Sequence, residues 1–248
     1  VLFFPVIRPC IKFPSPGAVS LTPQPRGALV DMKPSHWTAT NSMQDVKRQV
    51  CPEIVDEMPM VNVRVEAVGL NFRDVLNVLD MYPGDPGLPG SDYAGVVLGG
   101  ANKAGSSAFP PGTEIFGLAP GCLGTRVTAS ALTAVPKPPS ISFADAAGCP
   151  TIFCTVFLAL EMAGPSTGAC KSVLVHAATG GVGLAACQIL GLQGVNIFAT
   201  AGSARKRAML RNMGISHVAS SRSTEFVDVL LGTNNSPVDM VLNSLTST

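Results

Sequence analysis

From Ser172 to Ala204 the chain runs for 33 residues without a single Asp, Glu, Lys or Arg. Such a run suits either a membrane span or a set of elements covered on both faces by other layers. Its glycines exclude the span. Gly180, Gly181, Gly183, Gly191, Gly194 and Gly202 break it into strand, turn, helix and strand, the pattern of a parallel sheet buried on both sides.

The same rhythm continues beyond the run. The pattern predicts strands at Val173–His176, Val195–Ala201, near Val218 and at Val238–Leu242, with helices at Gly183–Leu192, Ser203–Met213 and Thr224–Leu231 between them. That βαβαβαβ order predicts an α/β fold with right-handed crossovers, a doubly wound Rossmann-type unit. A six-stranded version needs two more βα units, so the expectation is a nucleotide domain incomplete at its C-terminal end, Thr248.

Upstream the period changes from helical to alternating. VNVRVEAV (Val61–Val68) and Tyr93–Leu98 read as strands, as does Arg126–Ala129. YPGDPGLPG (Tyr82–Gly90) and FPPGTEIFG (Phe109–Gly117) read as turns between them. A compact β-barrel suits this half. An apolar helix at Thr151–Met162, closed by Gly164 and Pro165, follows. The expected organisation is a Pro-rich linker or upstream tail at 1–23, a β-rich substrate domain at 24–142 and the nucleotide domain at 143–248.

Composition narrows the function. Apolar residues make up 46% of the 248, and 25 Gly with 21 Pro show no period, which excludes collagen-like and disordered classes. Charged residues are 13%, against about 25% in an average domain, so part of the surface is expected to meet another layer or protein. A net charge of +1 without a Lys/Arg run excludes a phosphate-backbone footprint, and no nucleic acid partner is expected. Seven Cys, an odd number without a CxxC pair, fit neither a disulfide framework nor structural zinc and point to a reducing, cytoplasmic setting. The opening VLFFPVI is cut by Pro5 and Arg8, so neither targeting segment nor membrane partner is expected.

SVLVHAATGGVG (Ser172–Gly183) carries the chemistry. Set against G-x-G-x-x-G, it puts Ala178 at the first glycine place, Gly180 at the second and Gly183 at the third, after a strand and opening a helix. Thr179, Gly180, Gly181, Val182 and Gly183 are thus expected to bring backbone N–H groups and a helix N-terminus to a pyrophosphate. About 20 residues on, where an NAD site offers an acid to the ribose 2′-hydroxyl, the chain reads ATAGSARKR. A 2′-phosphate suits Ser203 and Lys206, with Arg205 and Arg222 as neighbours, so NADPH is expected over NADH. A solvated face of Arg205, Lys206, Arg207 and Arg211 is the plainer alternative.

GLNFRDVLNVLDMYPGDPG (Gly69–Gly87), GSDYAGVV (Gly90–Val97), HAATGGVG, GSARKR, HVASSRSTEF (His217–Phe226) and VDMVLNSL (Val238–Leu245) occur in that order. Together they resemble the enoyl reductase domain of polyketide synthases and animal-type fatty acid synthases. That family lies in the quinone-reductase-like branch of the medium-chain dehydrogenase/reductase superfamily. The resemblance covers about residue 24 to the end and implies a GroES-like substrate domain beside the nucleotide domain. It also implies NADPH-dependent reduction of the 2,3 double bond of enoyl thioesters on an acyl carrier protein, among neighbouring synthase domains.

The resemblance carries residues with it. Tyr82 stands where the family links a Tyr to protonation of the α-carbon, with packing as its alternative role. Asn71, Arg73 and Asp74 are expected near the nicotinamide, Arg73 and Asp74 alternatively as an ion pair. Thr155 and Asn243 match cofactor-contacting positions. Zinc-dependent relatives have Cys at Asn71 and Gly-His-Glu at Gly90, Ser91 and Asp92, so no metal is expected. His176 reads as a core or turn residue. The Lys and acidic partner proposed in the family lie after VLNSL, beyond the residues present, so a fragment inactive alone is expected. A stand-alone quinone or enone reductase, or a non-catalytic NADP-binding remnant, are the other readings.

Overall fold

The structure is a computed structural model that describes residues 18–24, 26–27, 32–36, 38, 44, 58–163, 170–232 and 238–244. Its contacts divide the chain into two compact units, Val1–Thr151 and Ile152–Thr248.

In the first unit, β1 (Val19–Pro23) and β2 (Met32–His36) pair antiparallel. The expected linker thus ends in a strand at Val19; residues 1–17 lie outside the described residues. The Leu21 N–H donates to the Leu123 carbonyl, and Ser20 bridges Gly124. There follow β3 (Met60–Gly69), α1 (Phe72–Val78), β4 (Asp92–Gly100), β5 (Glu114–Leu118), β6 (Arg126–Ser130), β7 (Ala134–Pro136) and α2 (Phe143–Ala147). Strands β3 to β7 make one antiparallel sheet, in the order β6-β3-β4-β5-β7. Alternation explains the core: Val61, Val63, Tyr93, Val97, Ile115 and Val127 are all buried.

Strand β5 takes in EIFG (114–117), which the sequence assigns to a turn. Only the preceding PPG turns: the Thr113 N–H donates to the Pro110 carbonyl at 3.1 Å. Beyond it Ile115 is fully buried and β5 pairs with both β4 and β7, so burial outweighs the nearby prolines. Helix α2 starts at Ser142, whose hydroxyl oxygen accepts from the Asp145 N–H at 3.1 Å. Its Ala146 and Ala147 pack against Ala94 of β4. Helix α2 thus lies within the first unit.

The break falls in the first turn of α3 (Pro150–Met162), where Pro150 suits a position whose N–H needs no helical partner. The second unit continues with β8 (Ser172–Val175), α4 (Gly181–Leu192), β9 (Asn196–Ala201), α5 (Ala204–Asn212), β10 (His217–Ser220), α6 (Glu225–Gly232) and β11 (Met240–Leu242). All four strands are parallel, in the order β10-β9-β8-β11. Numbered within this unit, that is 3-2-1-4, the beginning of the Rossmann order. The charge-free run supplies its core: Val173, Val175, Ala185, Ile189, Leu190, Ile197 and Ala199. The Asp239 carboxylate accepts from the Lys171 and Ser172 N–H groups, both at 2.8 Å, fastening the start of β8 to the entry of β11. These bonds hold its carboxyl below the usual carboxylate range. Among the described residues no helix is long and apolar enough to cross a membrane.

Candidate functional site

In the second unit the glycine turn joins β8 to α4. Ala178 is fully buried, and its N–H donates to the Thr200 carbonyl at 3.1 Å. The left-handed residue is its neighbour Ala177, at φ 49°, so the sharp part of the turn lies one position before the expected first glycine place. Gly180 is the N-cap of α4 and gives no side-chain cap. The N–H groups that open the helix therefore stay available to an anion. At Gly183 a Cβ would lie 2.5 Å from the Ala177 carbonyl oxygen, which explains why only glycine lets the helix approach the strand there.

One cavity of about 220 Å³ opens on this turn. Thr155 of α3, His176, Val182, Gly183 and Asn243 line it, so four residues expected at the cofactor are brought together. His176 joins them unexpectedly. Its Nδ1 lies 2.9 Å from the hydroxyl of buried Thr200, its ring meets Phe226 edge-on at 5.3 Å, and burial lowers its pKa below the usual value. Partners 24 residues along and on another element left no signal in the sequence.

The cationic group forms at the end of β9. Ser203 is the N-cap of α5, its hydroxyl oxygen accepting from the Lys206 N–H at 3.3 Å. A Cβ on Gly202 would meet Arg222 Nε at 3.3 Å, so this guanidinium lies beside the residue preceding Ser203. Lys206 and Arg222 are exposed. Arg207 and Arg211 turn inward to carbonyls, Arg207 to Ala201 and Gly202 and Arg211 to Val218. Of the four cations in the plain alternative, Arg207 and Arg211 are bonded to carbonyls, whereas Arg205 and Lys206 are exposed.

In the first unit the expected residues gather around two acids. The buried Asp74 carboxylate accepts from the N–H groups of Asn71 and Gly90, both at 2.8 Å. Arg73 does not pair with it; its Nη2 donates to the Pro86 carbonyl at 3.0 Å and its guanidinium lies 5.3 Å from the Tyr82 ring centre. Asp92, fully buried, accepts from the Asn71 amide at 3.1 Å and from both the N–H and the hydroxyl of Thr151. Tyr93, the other tyrosine, is buried in the sheet core with its hydroxyl unpartnered, and burial raises its pKa.

The positions where zinc enzymes carry ligands were tested on these donors. Of Asn71, Gly90, Ser91 and Asp92, only Asp92 offers a usual zinc ligand, and both its oxygens accept hydrogen bonds from Asn71 or Thr151. Nearby Cys122 is buried, donates to the Asp92 carbonyl at 3.4 Å, and has its pKa pushed up by burial, which keeps it a thiol. These residues do not fit a zinc ion. Among the described residues no three His, Cys, Asp or Glu side chains are grouped to hold a metal. The second unit, in contrast, fits a dinucleotide: open helix amides, a close-packed Gly183 and a lined cavity.

The sequence profile of the family described as Zinc-binding dehydrogenase matches residues 181–248. The phthioceranic/hydroxyphthioceranic acid synthase of Mycobacterium tuberculosis (strain ATCC 25618 / H37Rv) is 44% identical over 192 residues, 75% of this chain and 9% of the synthase. The spectinabilin polyketide synthase system protein NorB of Streptomyces orinoci is 40% identical over 233 residues, 92% of this chain and 10% of its own. The chain thus spans about a tenth of the length of the curated relatives it matches. The crystal structure of CurK enoyl reductase is 30% identical with a TM-score of 0.74, covering 93% of this chain and 68% of that one. Escherichia coli quinone oxidoreductase complexed with NADPH is 25% identical with a TM-score of 0.69, over 92% and 66%. Fold and turn define the class, a chain with a Rossmann-type dinucleotide-binding unit. Within it the chain belongs to the enoyl reductases of polyketide synthases, in the medium-chain dehydrogenase/reductase superfamily.

Proposed function

We propose that this chain, as part of a polyketide or fatty acid synthase, serves the NADPH-dependent reduction of the 2,3 double bond of enoyl thioesters carried on an acyl carrier protein, in the cytoplasm and beside further synthase domains. The observation that carries the reading is the uncapped start of α4, together with Ser203 at the start of α5 and the Arg222 guanidinium beside Gly202, where a ribose acid is missing and Lys206 is exposed. Bound there, NADPH supplies a hydride to the β-carbon of the thioester-activated alkene. The α4 amides would hold the pyrophosphate, and Ser203, Lys206 and Arg222 would hold the 2′-phosphate. Thr155 and Asn243 orient the nicotinamide end from the cavity wall.

In this reading Tyr82 completes the addition. Its O–H bond breaks as a C–H bond forms at the α-carbon, the enolate electron pair enters that bond, and the phenolate takes a proton back from water. Asn71 binds Asp92 and Thr151, which fixes the corner of the first unit where it stands. No step is routed through zinc.

Lys206→Ala tests the carrying observation. NADPH affinity is expected to fall about tenfold or more while NADH affinity stays within about twofold, measured by fluorescence titration of both coenzymes. Equal losses for the two would overturn the assignment of the 2′-phosphate.

A further inference from the structure

The segment YPGDPGLPG, rich in proline and glycine, is braced from several directions. The Gly87 carbonyl accepts from Arg26 Nη2 at 2.9 Å and from the Asn77 amide at 3.1 Å. Asp74 takes the Gly90 N–H, and the Gly121 N–H donates to the Gly90 carbonyl at 2.9 Å. Just before Tyr82, the Met81 N–H donates to the Leu76 carbonyl at 2.8 Å, and just after it the Pro83 ring fixes φ. A proline also restricts the backbone of the residue it follows. With the backbone on both sides of Tyr82 held, the orientation of its ring is the freedom that remains.

Arg73 acts on that freedom. It projects from α1, its Nη2 is tied to the Pro86 carbonyl at 3.0 Å, and its guanidinium stands over the Tyr82 ring at 5.3 Å. The tie matters because an untethered Arg is a flexible cation, whereas one bonded to the same loop presents a fixed plane to the ring. We infer that Arg73 is a positioning residue that orients the Tyr82 phenol for proton delivery. The inference rests on the reading of Tyr82 as donor and goes beyond it by assigning what aims the donor.

The test combines a spectroscopic readout with a kinetic cycle. The chain has only two tyrosines, so 13C-labelling of tyrosine gives two ring signals, with core-buried Tyr93 as internal reference. Arg73→Ala is expected to move the Tyr82 signal and leave that of Tyr93 in place; Arg73→Lys, which keeps the charge and loses the fork, moves it less. An unmoved Tyr82 signal in Arg73→Ala overturns the inference. In turnover of an enoyl thioester, Tyr82→Phe is expected to lower kcat about 100-fold. Arg73→Ala is expected to lower kcat about five- to tenfold with KM for NADPH unchanged, and Arg73→Lys to restore part of it. Added to Tyr82→Phe, Arg73→Ala is expected to change kcat by less than about twofold. A full further loss in the double variant overturns the positioning role while Tyr82 remains the donor. An unaltered kcat in Tyr82→Phe overturns the donor reading and the inference with it.

Discussion

The two units use their polar groups in opposite ways. In the antiparallel unit, Ser20, Asp74, Asn77, Asp92 and Thr128 are buried, and the acids bind backbone and side-chain groups of neighbouring loops. In the parallel unit Thr200 alone belongs to that class among the described residues, while helix amides and exposed cations stay open. One unit fixes its loops with buried polar side chains; the other leaves helix amides and cations exposed around an apolar core. The lesson is that a substitution of similar size has different consequences in each, stability in the first and ligand binding in the second.

The largest effect is expected where a buried acid is lost. Asp92→Ala leaves the Asn71 amide and the Thr151 N–H without their carboxylate and is expected to cost about 3–5 kcal/mol in urea unfolding followed in the first unit. A loss below about 1 kcal/mol would break the contrast between the units. Smaller and of opposite sign is Ala177→Gly, which removes the Cβ from a left-handed residue. It is expected to stabilise the second unit by up to about 1 kcal/mol, partly offset by glycine's greater freedom when unfolded. Destabilisation in thermal melts would mean that the turn does not strain Ala177.

Acid gives the smallest effect. Burial lowers the His176 pKa, so the unfolded chain takes up this proton at a higher pH than the folded one. The contribution is constant above the ordinary histidine range and declines as pH falls through about 6.5 toward the folded value. His176→Asn is expected to lose less stability than the parent between neutral and mildly acidic pH, read from urea midpoints. Identical pH dependence would remove His176 from the cavity wall as a titrating group.

The parallel unit was legible because its strands and helices each follow one period without interruption: β8, β9 and α4 lie within a residue or two of their expected bounds. The antiparallel unit was less so. Glu114–Leu118 is a strand directly after two prolines and a glycine, and Val19–Pro23 pairs inside a stretch whose prolines suggest no structure. Helix α1 falls between a strand and a glycine-rich turn and is only seven residues long, too short for a clear helical period. At the site, the glycine turn shows itself through local spacing. The contacts of Asn71 with Asp92 and Thr151 do not, since they join residues 21 and 80 positions apart. The inward turn of Arg207 and Arg211 is equally hidden, because a run of cations reads the same whether its members reach solvent or carbonyls.

Asn71, Asp92 and Thr151 close on one another through amide, carboxylate and hydroxyl. That corner is therefore cross-linked by the polypeptide itself. It closes only when segments 80 positions apart have met, so a chain cut between them loses this fastening in both pieces.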